Sequence, residues 1–209
     1  YDNTEYIYAV EYKAPVQVMK TDKRSRRTRA WLLDTLLELL DSKDYSEITV
    51  TELTEKADIA RQTFYRNYSN MDDILLSRMD EIVDAYLKKV QKNHEARKDP
   101  DWDFEVRQLI YLWQRNQTIF RAMQKAGLEY QAMEKLSTLF TRFHMRAQNL
   151  KELDDKHQYL VYYLSGGVFM VLNKWFENDM KFSVELLTDL FKRAANNVDQ
   201  IAAEYIKGS

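Results

Sequence analysis

Residues 49–68 read TVTELTEKADIARQTFYRNY, and this stretch decides the fold. Thr49, with Glu52 three residues on, has the form of a helix capping box, and Ile48 just ahead is placed to staple onto the first turn. Val50, Leu53 and Ala57 supply the buried side of a short helix, which breaks at Asp58. Phe64 and Tyr68, four apart, give an inward face to a second short helix over residues 60–67. Two short helices separated by about four residues match a helix-turn-helix in length and buried pattern.

Helical periodicity continues on both sides. Upstream, Leu33, Leu36, Leu37 and Leu40 make one apolar face of a helix that starts at Ser25 and ends around residues 42–44. Downstream, Asn70 with Asp73 caps a long helix whose stripe is Leu75, Met79, Ile82, Val83, Tyr86 and Val90. That helix runs into KNHEARKDPD, where Pro100 is the expected stop. Five more helices are expected over residues 102–116, 118–125, 128–150, 155–178 and 183–207, with Gly127 as a break. The last carries a stripe of Val184, Leu187, Phe191, Ala194, Val198, Ile201 and Tyr205. The expected fold class is all-α with about nine helices. A three-helix helix-turn-helix domain over residues 19–70 is followed by a larger helical domain over residues 71–207.

Composition agrees. Of 209 residues, 4 are glycine and 2 proline, and 45% are apolar. Few breakers and a sizeable core favour long helices with short connections over a β-sandwich. Cysteine is absent, so disulfides and thiolate metal sites are excluded, which fits a reducing, cytoplasmic setting. The longest apolar run, Val168 to Leu172, is far too short to cross a membrane. Residues 1–18 (YDNTEYIYAVEYKAPVQV) are Tyr-rich and unlike the rest of the chain. They read as a non-native leader or an extension, and Met19 looks like a natural start.

Net charge is only −2, but residues 20–29 (KTDKRSRRTR) hold six basic groups and one acid. A local basic arm on a near-neutral protein suits a phosphate backbone; the competing reading is a solvated helix start. In a helix-turn-helix the second helix enters the major groove, where side chains near its start reach base edges. Here those are Arg61, Gln62 and Thr63. Arg pairs with guanine, Gln with adenine, and Thr touches a thymine methyl or a phosphate. Tyr65 and Arg66 suit phosphate contacts.

The stretch ITVTELTEKADIARQTFYRNYSNMDDILL, residues 48–76, resembles the N-terminal domain of the TetR/AcrR regulators, with the T-F-Y core at Thr63, Phe64 and Tyr65. Residues 162–191, YYLSGGVFMVLNKWFENDMKFSVELLTDLF, look like the C-terminal domain of many regulators of that family from low-GC Gram-positive bacteria. The resemblance implies a transcriptional regulator, by the family's habit a repressor, that binds double-stranded operator DNA as a homodimer and needs no cofactor. It implies base reading by Arg61, Gln62 and Thr63, and a phosphate contact at Tyr65. Thr49 falls at a cap that faces the backbone, and Lys23, Arg24, Arg26 and Arg27 fall in the basic stretch at the start of the first helix. Three positions depart from the family pattern: Asp58 replaces the turn glycine, Ala60 the capping serine, and Met71 a phosphate-binding lysine.

Two-fold DNA sites ask for two reading heads, and so for a dimer. The last two helices carry stripes suited to an intermolecular four-helix bundle, with Gly166, Gly167, Val171, Trp175, Phe191, Val198 and Ile201 as candidates. Each mid-helix glycine costs about 1 kcal/mol relative to alanine, which close backbone approach between two chains would explain; intrachain packing is the competing reading. Trp102, Tyr111, Trp113, Phe120, Met123, Phe143 and His144 lie where relatives enclose an effector. Together they suit a small, mostly apolar ligand, although any one of them reads first as plain core. Effector and DNA would then favour different spacings of the two heads, with the long fourth helix as the lever.

Catalysis finds no support. His94, His144 and His157 lie too far apart for short-spacing metal motifs, and neither a glycine-rich phosphate loop nor a nucleophile motif is present. The alternative is an interaction module of the same fold that has lost DNA.

Overall fold

The computed structural model describes residues 23–96, 102–147 and 150–207. Among these residues there are nine α-helices, one 3₁₀ turn and no strand. Chain order is α1 (Lys23–Leu40), the 3₁₀ turn Tyr45–Glu47, α2 (Val50–Lys56), α3 (Arg61–Asn67), α4 (Asp72–Ala96), α5 (Trp102–Arg115), α6 (Gln117–Lys125), α7 (Glu129–Ala147), α8 (Asp155–Glu177) and α9 (Val184–Lys207). The all-α expectation is met, and most helix bounds fall within a few residues of those expected. The 1–18 leader and the stop at Pro100 lie outside the described residues, as do the side chains of Trp102, Val198, Ile201 and Tyr205.

The described residues divide into two compact units. One comprises residues 23–82 with Thr118–Ala132; the other comprises Val83–Gln117 with residues 133–207. Helix α4 begins in the first and ends in the second.

In the first unit, α1 turns Leu32, Leu36, Leu39 and Leu40 inward, and α2 packs against it. Leu33 and Leu37 are only half-buried, so the inner face is rotated by about a residue from the expected stripe. Leucines span nearly half of the helix circumference here, and packing rather than periodicity selects the buried row. Leu53, Phe64, Ile74 and Leu75 are wholly buried, with Met79 and Met123 nearly so. Burying a side chain of this size contributes about 1.5–3 kcal/mol. Two ties close the unit. The Tyr45 hydroxyl donates to the Asp72 carboxylate, and burial, with that carboxylate beside it, pushes the phenol pKa above its ordinary value. The Lys125 ammonium donates to the Leu40 carbonyl at 2.5 Å.

In the second unit, α9 packs chiefly on α5 and α8. Leu187, Phe191 and Ala195 face inward, whereas Ala194, expected on that stripe, is exposed. Ion pairs Lys192–Asp103 (2.9 Å) and Arg107–Glu185 (3.5 Å) tie α9 to α5; on the surface they fix register more than they stabilise. The rings of Trp113 and Phe169 meet edge-on at 5.9 Å. Asp154 caps α8 by accepting from the His157 amide at 2.9 Å. After α8 the chain turns through Asp179 and Met180, both left-handed (φ 52° and 54°). The Met180 amide donates to the Trp175 carbonyl at 2.8 Å. Among the described residues no helix is long and apolar enough to cross a membrane.

Candidate nucleic-acid interface

Helix α2 starts where the sequence places it. Thr49 is in extended conformation and its hydroxyl accepts from the Glu52 amide at 3.1 Å. Ile48 is buried beneath it. Only half of the capping box forms, because the Glu52 carboxylate is taken by Lys43 at 2.5 Å. A full reciprocal box forms at α4 instead. The Asp73 amide donates to Asn70 Oδ1 at 2.9 Å, and the Asn70 amide donates to Asp73 Oδ2 at 3.3 Å.

Between α2 and α3 the chain reverses at Asp58, which takes the left-handed conformation (φ 51°) that a glycine would adopt without strain. The Ile59 amide donates back to the Thr54 carbonyl at 2.9 Å, a Schellman-type ending. Ala60 gives α3 no side-chain cap. The Thr63 and Phe64 amides instead close onto the Ala60 carbonyl at 2.7 and 3.3 Å.

Helix α3 has two distinct faces. Phe64 is fully buried and Tyr68 nearly so, their rings 6.2 Å apart. Arg61, Gln62 and Arg66 are exposed, Thr63 is half-buried, and Tyr65 is 53% exposed. Tyr65 stands edge-on to Phe64 at 5.1 Å, which orients the phenol without covering it. Thr49 is also exposed.

The first helix begins two residues earlier than the expected Ser25, so Lys23 and Arg24 join Arg26 and Arg27 within its first two turns, all four exposed. Lys and Arg are good helix formers, so the helix takes in the tract from Lys23 to Arg29. No acid sits in that first turn, and cations there oppose the helix dipole by about 0.3–1 kcal/mol each at low salt. Arg29, from the same tract, turns inward. Its guanidinium lies 5.3 Å from the Tyr68 ring and donates to the Asn67 carbonyl at 3.4 Å.

The candidates from the effector region fall in both units. Phe120 and Met123 are buried in the first; Tyr111, Trp113, Phe143 and His144 belong to the second. Trp113 is wholly buried. Phe143 packs on Tyr86 at 6.1 Å, and Tyr111 lies under the Arg115 guanidinium at 5.8 Å. His144 stands against His157 with ring centroids 5.2 Å apart, a pairing that sequence distance hides. No group of three or more metal-ligating side chains occurs among the described residues.

Of the candidates on the last two helices, Trp175 and Phe191 are buried by their own chain, which leaves little of either for a second chain. Gly166 and Val171 are half-buried and Gly167 is exposed. A Cβ at either glycine would meet nothing within 4 Å, so no neighbour among the described residues requires them. Around them α8 exposes Tyr159, Tyr162, Tyr163 and Met170, and α9 exposes Leu186 and Leu190. This second stripe lies apart from the buried rows of α8, and the spacing Y-x-x-Y-Y-x-x-G-G-x-x-M over residues 159–170 carries it.

A helix-turn-helix with a polar, outward recognition helix, joined to an all-helical body, defines a DNA-binding regulator of the helix-turn-helix class. The profile of the bacterial regulatory proteins of the tetR family matches residues 32–77, and that of a transcriptional regulator C-terminal region matches residues 100–197. The chain belongs to the TetR family. A similar protein is YxbF, an HTH-type transcriptional regulator of Bacillus subtilis, 38% identical over 38% of this chain. The chain spans only 22% of the length of that relative. Among solved structures, Lin0861 from Listeria innocua superposes with a TM-score of 0.69 at 15% identity, covering 87% of this chain and 96% of its own. FadR from Thermus thermophilus, a TetR-family repressor solved with lauroyl-CoA, gives 0.50 at 17% identity, covering 79% and 91%. At these identities the two structures share the fold.

Proposed function

We propose that this regulator binds operator DNA as a homodimer, with residues 19–70 as the DNA-binding domain and residues 71–207 as the dimerisation and effector domain. The observation that carries the reading is the division of α3: Phe64 and Tyr68 are inside, while Arg61, Gln62, Tyr65 and Arg66 are outside. Exposed base-pairing groups on a helix anchored by two buried aromatics suit major-groove readout. Arg61, Gln62 and Thr63 read base edges. Thr49, Tyr65 and Arg66 hold phosphates, together with Lys23, Arg24, Arg26 and Arg27, whose charge at the start of α1 gains phosphate partners there.

The second chain covers the exposed stripe of α8 and α9, with Gly166, Gly167 and Val171 at its centre. An apolar effector, of which the acyl chain bound by FadR is one example, occupies the domain that carries Tyr111, Trp113, Phe143 and His144. Effector and operator each weaken the other's binding by the same factor, with α4 as the lever. Repression in the cytoplasm follows the family's commoner habit.

An electrophoretic shift with the DNA upstream of its own gene tests this. A shifted band that weakens steeply with salt is expected. No shift at low salt on any nearby fragment would overturn DNA binding and favour an interaction module.

A further inference from the structure

One side chain bridges the basic start of α1 and the recognition helix. Asn67, the last residue of α3, accepts from the Ser25 hydroxyl at 2.7 Å through Oδ1. Through Nδ2 it donates to the carbonyl of Thr63, in its own helix, at 2.8 Å. Its backbone carbonyl accepts from Arg29 Nη2 at 3.4 Å, and the same guanidinium lies over the ring of the next residue, Tyr68. Ser25 and Arg29 lie one turn apart on the inner side of α1, among the exposed Lys23, Arg24, Arg26 and Arg27.

We infer that Asn67 is a positioning residue for DNA recognition. It locks the basic start of α1 to the recognition helix, so that phosphate-holding and base-reading groups are presented in one fixed relation. The inference rests on the DNA-binding reading. The chemistry asks for a short carboxamide. Its oxygen takes the serine proton while its nitrogen serves the Thr63 carbonyl, and no aspartate or alanine does both. A specific complex needs phosphates and base edges satisfied at once. A non-specific one needs only phosphates, and tolerates a loose angle between the helices.

The test compares Asn67→Ala, Asn67→Asp, Ser25→Ala and Ser25→Thr on two duplexes: the upstream fragment that wild type shifts, and a scrambled fragment of equal length. For the first three variants, affinity for the upstream duplex is expected to fall on the order of tenfold, the loss of one or two hydrogen bonds. Affinity for the scrambled duplex is expected to hold within about twofold, because phosphate contacts alone support it. Ser25→Thr keeps the hydroxyl and is expected to recover the wild-type ratio. Equal losses on both duplexes, an unchanged ratio in the folded variants, or failure of Ser25→Thr to rescue would overturn the positioning role. Wild type that shifts no duplex would instead sink the DNA-binding reading itself.

Discussion

Lys125 and Leu40 are 85 residues apart in sequence, yet the lysine ammonium donates to the leucine carbonyl at the end of α1. The last carbonyls of a helix have no partner within it, and a cation there also meets the negative end of the helix dipole. Lys125→Met keeps the stem and removes the donor. It is expected to cost about 1 kcal/mol, a hydrogen bond from a partly exposed charge, and to lower the melting temperature by a few degrees. An unchanged melting curve would mean that water caps α1 equally well.

At Asp58 the left-handed turn is strained for a residue bearing a Cβ. Asp58→Gly is expected to raise stability by about 0.5–1 kcal/mol, relief of strain less the greater freedom of glycine in the unfolded chain. Urea denaturation with an unchanged slope checks it, and a loss of stability would show that the aspartate supplies more than its backbone angle.

Tyr45 makes stability pH-dependent at the alkaline end. Burial and the Asp72 carboxylate raise its pKa in the folded chain. Its contribution is therefore fully present below the ordinary phenol value near 10 and is lost as pH climbs from there toward the raised one. The stability gap between wild type and Tyr45→Phe is expected to be constant from pH 7 to about pH 9 and to shrink beyond pH 10. A gap that stayed level past pH 11 would contradict the hydrogen bond to Asp72.

Dimerisation through α8 and α9 predicts that Met170→Glu or Leu190→Glu yields a folded monomer. Both side chains are exposed in the single chain, so neither change disturbs its core, while a charge facing its own copy across a two-fold interface is strongly unfavourable. Sedimentation with circular dichroism reads both properties. Variants that stay dimeric would move the interface elsewhere.

Base reading and phosphate holding separate by salt. Gln62→Ala is expected to cost about 1–3 kcal/mol on the cognate duplex and little on others. Arg27→Ala is expected to weaken all duplexes alike and to lower the slope of log affinity against log salt by about 1. The reverse pattern would exchange their roles.

Much of the fold is legible in the residues. Thr49, Phe64 and Tyr68 declare the motif because capping and four-residue spacing are local rules, and the long stripe of α4 is buried at every expected position. Less legible is which of several apolar rows turns inward. α1 buries Leu32 and Leu39 more deeply than Leu33 and Leu37, and α8 buries Trp175 while exposing Met170. Periodicity fixes the angle between rows, but neighbours distant in sequence choose among them. The Asn67–Ser25 bridge, the Lys125 cap and the His144–His157 pair escape a reading of the sequence for the same reason. Each joins residues whose separation bears no relation to a helical period.

Because Thr118–Ala132 packs with the helix-turn-helix unit, that unit is completed only after the chain has left it and come back. A peptide ended after Ile82 would carry every group assigned to DNA and still lack Ile119, Phe120, Met123 and Leu128, all buried in the whole chain. A reading head cut after Ile82 is therefore expected to be less stable than one that keeps the returning segment. A dissection that keeps it would supply that segment as a separate peptide or by circular rearrangement of the gene.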